Sequence, residues 1–110
     1  EERPYDNKYK AIKILKEVRP TQYSFIVEAQ LGELYNDVDQ LSDSVRAYQA
    51  SLELFSKLDK DFPLERYYNV LITVYNMLGL TYLNRDLNEE GVSLLGKATV
   101  VYEAHQDVKQ

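Results

Sequence analysis

Apolar side chains return every three or four positions along most of this chain, and the few interruptions divide it into five helices. Pro4 and Pro20 bracket the first, near Tyr5 to Val18, with Tyr9, Ile12, Leu15 and Val18 on one face and lysines on the other. Thr21 is placed to cap a second helix running to about Asn36, whose inward stripe is Phe25, Glu28 or Ala29, Gly32 and Tyr35, flanked by Leu31. Asp39 reads as the cap of a third, to about Leu58, turning Leu41, Val45, Tyr48, Leu52 and Phe55 inward. The stretch from Lys57 to Phe62 is polar and turn-like, and Pro63 suits the first turn of a fourth helix, where its missing N–H costs nothing. That helix carries Tyr68, Leu71, Ile72, Tyr75, Leu78 and Gly79 to Tyr82, and Asp86 reads as the cap of a fifth ending near Asp107. Val70 to Tyr75 is rich in β-branched and aromatic residues, but the helical period around it overrides their strand propensity. The pattern therefore predicts an all-α fold.

The second and third helices recur as the fourth and fifth. Leu31-Gly32-Glu33-Leu34-Tyr35 returns as Leu78-Gly79-Leu80-Thr81-Tyr82, a shift of 47 residues that also maps Asp39 onto Asp86, Val45 onto Val92, Ser51 onto Ala98 and Phe55 onto Tyr102. A large apolar residue followed by Leu-Gly and an aromatic, with small residues such as Ala98 on the next helix, resembles the tetratricopeptide helical hairpin. The resemblance implies an α-solenoid of antiparallel hairpins. The glycine has a steric reason, since without a side chain it lets the second helix cross close to the first, whose own Tyr35 or Tyr82 then packs over the crossing. The period exceeds the usual ~34 residues of such repeats, which reads as longer helices because apolar spacing continues without interruption. The expected organisation is a basic helix over residues 1–20 packed on hairpins over 21–60 and 61–110, all in one domain of a longer solenoid. Val100, Val101 and Tyr102 place apolar groups on more than one face of the last helix, so later repeats of the same parent chain are expected to pack there.

Composition narrows the function classes. The 110 residues contain no Cys, which removes disulfides and thiolate chemistry and fits a cytoplasmic setting. No apolar run reaches the ~20 residues of a membrane span, Glu1-Glu2-Arg3-Pro4 resembles no signal peptide, and the missing initial Met reads as a piece of a longer protein. Residues 1–20 hold six Lys or Arg against four acids, whereas the remainder holds seven against fourteen. An acidic repeat body disfavours nucleic acid and favours a basic protein surface as partner.

Motifs with chemical connotations fail on inspection. Gly91-Val92-Ser93-Leu94-Leu95-Gly96-Lys97-Ala98 misses the phosphate-binding loop by one residue. Ala98 offers no hydroxyl for Mg²⁺, and the segment falls inside a helix whose N–H groups are already bonded. Asp37, Asp39 and Asp43 lack the glycine and distal Glu of a calcium loop. His105, the only histidine, has no Cys partner for zinc and reads as a surface residue near a helix C-terminus. Ser42, Ser44, Ser51 and Ser56 have no base at a useful spacing, so no catalytic, cofactor or metal residues are assigned and an enzyme is not expected. Of the ten tyrosines, Tyr35, Tyr48, Tyr75, Tyr82 and Tyr102 fall on inward stripes and suit a core better than base stacking.

In tetratricopeptide arrays the first helix of each hairpin lines a binding groove. By that resemblance the groove presents Ile26, Ala29, Glu33, Asn36 and Asp37 from one repeat and Thr73, Asn76, Leu80, Leu83 and Asn84 from the next. It holds no Lys or Arg, which disfavours clamping of C-terminal carboxylates and suits a helix with basic flanks. Pro4-Tyr5-x-x-Lys8-Tyr9 with Leu15-x-Glu17-Val18, then Leu31-Gly32 with Leu41-Ser42, then Asn76-x-Leu78-Gly79 with the helix ending near Tyr102, resemble in that order the N-terminal region of the kinesin-binding protein family. Members of that family imply a long solenoid that grips kinesin motor domains and keeps them off microtubules without enzymatic activity. In animal members a longer acidic stretch separates the first helix from the first repeat, whereas here Pro20-Thr21 joins them almost directly. The expected function is a protein-interaction scaffold with a kinesin motor domain as partner, cytoplasmic and cytoskeleton-associated. The alternative is a generic peptide-binding module such as a bacterial peptide-sensing regulator.

Overall fold

The computed structural model describes the backbone of residues 3–109 and the side chains of residues 3–106. Five α-helices follow one another: α1 (Asp6–Lys16), α2 (Ser24–Asp37), α3 (Leu41–Ser56), α4 (Tyr68–Asn84) and α5 (Asn88–Lys109). One 3₁₀ turn, Leu64–Tyr67, leads into α4 directly after Pro63, and there is no strand among the described residues. Asp6 in the first turn of α1 and Lys13 and Lys16 in its last complement the helix dipole. The Asp6 carboxylate also accepts from the Arg3 N–H at 2.9 Å, which fixes the entry to the helix.

Three expected caps act elsewhere. Thr21 Oγ1 accepts from the Tyr23 N–H at 3.0 Å, and Ser24 Oγ accepts from the Thr21 N–H at 2.8 Å, so Thr21 closes a turn ahead of α2, whose N-cap is Tyr23. Asp39 and Asp86 are not N-caps. Both adopt left-handed backbone, with φ of 61° and 63°, one residue beyond the C-caps of α2 and α4. Around them the backbone bonds are the same: Gln40 N–H to Tyr35 C=O and Leu87 N–H to Tyr82 C=O, each 2.9 Å, with Asp39 N–H to Asn36 C=O and Asp86 N–H to Leu83 C=O inside. This is the Schellman termination, which satisfies orphan carbonyls at a helix end and needs a residue that tolerates positive φ. A short polar Asp is among the few non-glycine side chains that do. The repeat therefore preserves a turn geometry as well as a hydrophobic pattern.

The chain divides into two compact units, Glu1–Lys57 and Leu58–Gln110, the boundary falling in the polar stretch after α3. Within the first, α2 and α3 run antiparallel, and the Ser44 and Ser51 hydroxyls donate across the pair to the carbonyls of Gly32, at 2.7 Å, and Phe25, at 2.6 Å. Within the second, α4 and α5 form the corresponding pair. A Cβ on Gly32 would meet the Tyr48 ring at 2.5 Å, and a Cβ on Gly79 would meet Leu95 Cγ at 3.0 Å and the Gly91 carbonyl at 3.1 Å. Tyr48 and Leu95 stand 47 residues apart, as do Ser44 and Gly91 and the two notch glycines, so the same three positions build both crossings. The side chain over the notch comes from the second helix of the pair and not, as the pattern suggested, from Tyr35 or Tyr82.

The core follows from these crossings. Among the described residues Phe25 and Tyr48, with Ala47, are buried in the first unit, and Val74, with Leu71, Leu78 and Ala98, in the second. Phe25 meets Phe55 edge-on with ring centroids 5.9 Å apart. Ser44, Ala47 and Ser51, small and partly polar, form the interior of α3, whereas Leu41, expected inward, is 44% exposed. Tyr9, Val18 and Tyr102 are likewise exposed instead of inward, and the buried part of α1 is Ile12 with Leu15 partly covered.

The crossings yield a matched set of stabilities. Nothing lies within 4 Å of a Cβ on Gly96, so Gly96→Ala should stabilise by about 1 kcal/mol through helix propensity alone. A Cβ on Gly91 would sit 2.9 Å from the Gly79 carbonyl, and overpacking of about 1–3 kcal/mol should outweigh the same propensity gain; Gly79→Leu should cost about 2 kcal/mol or more. Urea unfolding of the three variants checks the order, and a Gly91→Ala chain as stable as Gly96→Ala would remove the close crossing.

Candidate functional site

The ten expected groove residues divide between the two units. On α2, Glu33 and Asp37 are exposed, Ile26 and Asn36 are half-buried, and Ala29 is buried at 7% exposure, out of reach of a ligand. Glu33 and Asp37 line a shallow depression of about 420 Å³ with Ala11 and Ile14 of α1, so this side of α2 faces the N-terminal helix. Lys8 Nζ reaches Asp37 Oδ2 at 2.8 Å there, a largely solvated pair of little energetic weight. On α4, Thr73 and Asn76 are half-buried, Leu80 and Asn84 are exposed, and Leu83 packs towards α5, its Cγ only 2.7 Å from where a Cβ on Gly91 would be. Ala29 is therefore buried and Leu83 is half-buried beside Gly91.

The expected signature residues are structural within each unit. Leu31, Gly32, Leu78, Gly79 and Ala98 are buried, and Tyr35 and Tyr82 are half-buried. Leu31 joins Ile12, Val38 and Ala47 in one apolar cluster that ties α1 to the first hairpin.

A larger concave surface lies elsewhere, and linear patterning did not reveal it because three elements contribute. Between the end of α1, the α1–α2 connection and the paired faces of α2 and α3 is an open cleft of about 810 Å³. Leu15, Val27, Leu31, Ala47, Ala50 and Leu54 supply its apolar lining, with Lys16, Glu28, Asp43 and Arg46 as its charges. Arg46 Nη2 is paired with Asp43 Oδ1 at 3.0 Å. Glu28 has no ion-pair or hydrogen-bond partner among the described residues, and desolvation by burial raises its carboxyl above the ordinary glutamate value. The only signal in the sequence was Glu28 itself, a carboxylate at an inward position beside Ala29.

Scans against protein-family models, curated proteins and solved structures found no match to this chain.

Other residues with chemical connotations lie within the helices. Gly91 to Ala98 lies inside α5, where the Gly91 N–H donates to the Leu87 carbonyl at 2.9 Å. His105, expected on the surface, is half-buried against Tyr68, ring edge to face with centroids 5.8 Å apart. No group of three or more His, Cys, Asp or Glu among the described residues could hold a metal ion, and no helix among them is long and apolar enough to cross a membrane. Tyr48, at 1% exposure, keeps its hydroxyl buried without a hydrogen-bond partner among the described residues. Burial, then the negative charges of Glu33 and Asp37, hold its phenol well above the ordinary tyrosine value.

Tyr48 gives a pH signature whose sign follows from that shift. A phenol harder to ionise in the fold than in the unfolded chain contributes stability that is complete below about pH 10 and lost as pH rises above it. Tyr48→Phe should therefore be neutral or stabilising at pH 7, where it removes an unpartnered hydroxyl, and should flatten the alkaline loss of stability by up to about 1.4 kcal/mol per pH unit. Urea unfolding at pH 7 and 10.5 checks both; a variant less stable at pH 7 with an unchanged alkaline slope would contradict the assignment.

Proposed function

We propose that α2–α3 and α4–α5 are successive tetratricopeptide-like turns of an α-solenoid and that the chain is part of a scaffold that binds proteins. The observation that carries this reading is the equivalence of the two hairpins at a shift of 47 residues: Gly32 with Ser44 and Tyr48, Gly79 with Gly91 and Leu95, and the same left-handed Asp after the first helix of each. An array of equivalent units stacks by covering the apolar faces that each leaves open. Such a face is present on α5, where Val92 and Val100 are 62% and 67% exposed on either side of Gly96, and later repeats of the parent chain are the proposed cover.

For the partner, the ordered motifs from Pro4 to Tyr102 support an adaptor resembling the kinesin-binding protein family, located in the cytoplasm with the microtubule cytoskeleton. The excess of fourteen acids over seven basic residues beyond position 20 suits the basic, microtubule-facing side of a motor domain. Exposed acids are present in each unit, Glu33 on α2 in the first and Glu89, Glu90 and Glu103 on α5 in the second.

A microtubule co-pelleting assay tests the proposal. With the complete parent protein in excess, a kinesin motor domain should move from the pellet to the supernatant, and the release should weaken as salt rises. A motor that pellets fully under those conditions would refute the adaptor reading.

A further inference from the structure

The cleft beside α1 is distinct from the expected groove: it uses the Val27, Glu28 and Leu31 side of α2, whereas Glu33 and Asp37 face the shallower depression. Its volume of about 810 Å³ lies in the range of clefts that hold a peptide segment or a small molecule. Ala47 and Ala50 are the small residues of the α3 wall, and Leu15, Val27, Leu31 and Leu54 add apolar lining from α1, α2 and α3.

The charges decide what kind of segment fits. Arg46 is paired with Asp43 and largely exposed, and Lys16 is exposed. Glu28 differs, being half-buried in the cleft and making no ion pair or hydrogen bond with the described residues. A carboxylate that has lost part of its hydration gains more from an incoming cation than a solvated lysine gains from an anion. We infer that this cleft is a docking site for an apolar peptide segment of a partner protein carrying one Lys or Arg, whose cationic head pairs with Glu28 while its flanking aliphatic residues cover Val27, Leu31 and Ala50. The long stem of such a residue would itself lie along apolar wall before its head reaches the carboxylate.

This inference does not rest on the adaptor reading, because the cleft belongs wholly to α1, α2 and α3; release of a motor and recognition of this peptide succeed or fail separately. The test titrates the full chain, observed by amide NMR, with two capped peptides, Leu-Leu-Ala-Lys-Leu-Leu-Ala and the same sequence with Glu in place of Lys. The lysine peptide should saturably perturb Val27, Glu28, Leu31, Ala47 and Ala50 and bind about tenfold more tightly than its acidic counterpart, the equivalent of one well-placed charge pair. Glu28→Gln, which keeps shape and removes charge, should bring the two peptides within about threefold of each other. Equal binding of both peptides to the unmodified chain, perturbations confined to other surfaces, or no saturable response would each overturn the inference, and the first comparison requires no variant to fold.

Discussion

Two helices can approach this closely only where one presents no side chain, and that constraint organises both halves of the molecule. At Gly32 the vacant position is filled by the flat ring of Tyr48, and at Gly79 by Leu95 and the backbone of Gly91. Different residues thus reach the same geometry by exchanging bulk across the interface. The first hairpin places a large aromatic over the notch and draws the helices together with serine hydroxyls bonded to Gly32 and Phe25 carbonyls. The second replaces Ser44 with Gly91 and Ser51 with Ala98, dropping both hydroxyls so that backbone meets backbone. Hydrophobic burial supplies the general driving force, while these small positions set the distance at which it operates.

Close packing in the interior leaves the outer faces as the part of each unit open to partners. Ser44, Ser51 and His105, which in another arrangement would attract attention as reactive groups, are taken up by contacts within their own hairpins. What the chain offers outward is charge and helix faces: a basic α1, acidic side chains on α2 and α5, an apolar stripe on α5 and a cleft with a partly desolvated carboxylate. These properties suit recognition of other polypeptides, in which shape and charge complementarity give specificity.

The helical content, the 47-residue period and the place of the glycines were legible in the sequence because each leaves a one-dimensional trace of spacing or an absent side chain. The helix ends were less so. Asp39 and Asp86 precede helices and carry a capping side chain, so they read as N-caps, but the left-handed turn that makes them C-terminal residues of the preceding helix depends on backbone conformation. The interior of α3 was misread because Ser44 and Ser51 count as polar by composition, while their hydroxyls are satisfied across the pair and their small size is what the crossing requires. Val74, with no exposure at all, has no mark in the sequence beside the more prominent aromatics of α4, and Tyr102, at helical spacing for an inward stripe, is 51% exposed, whereas Phe55 at the equivalent position meets the Phe25 ring. The cleft at Glu28 had no linear signature, since its walls come from three helices whose mutual placement no local pattern encodes.

The steric claim is tested most directly by a double-mutant cycle of Gly32→Ala and Tyr48→Leu, the latter borrowing the residue that Leu95 supplies at the equivalent crossing. If the Tyr48 ring occupies the space a Cβ would need, Gly32→Ala should cost at least about 1 kcal/mol less in the Tyr48→Leu background than in the unmodified chain. Costs that add within about 0.5 kcal/mol would mean that the two positions do not share this space, and the common crossing on which the repeat rests would be contradicted.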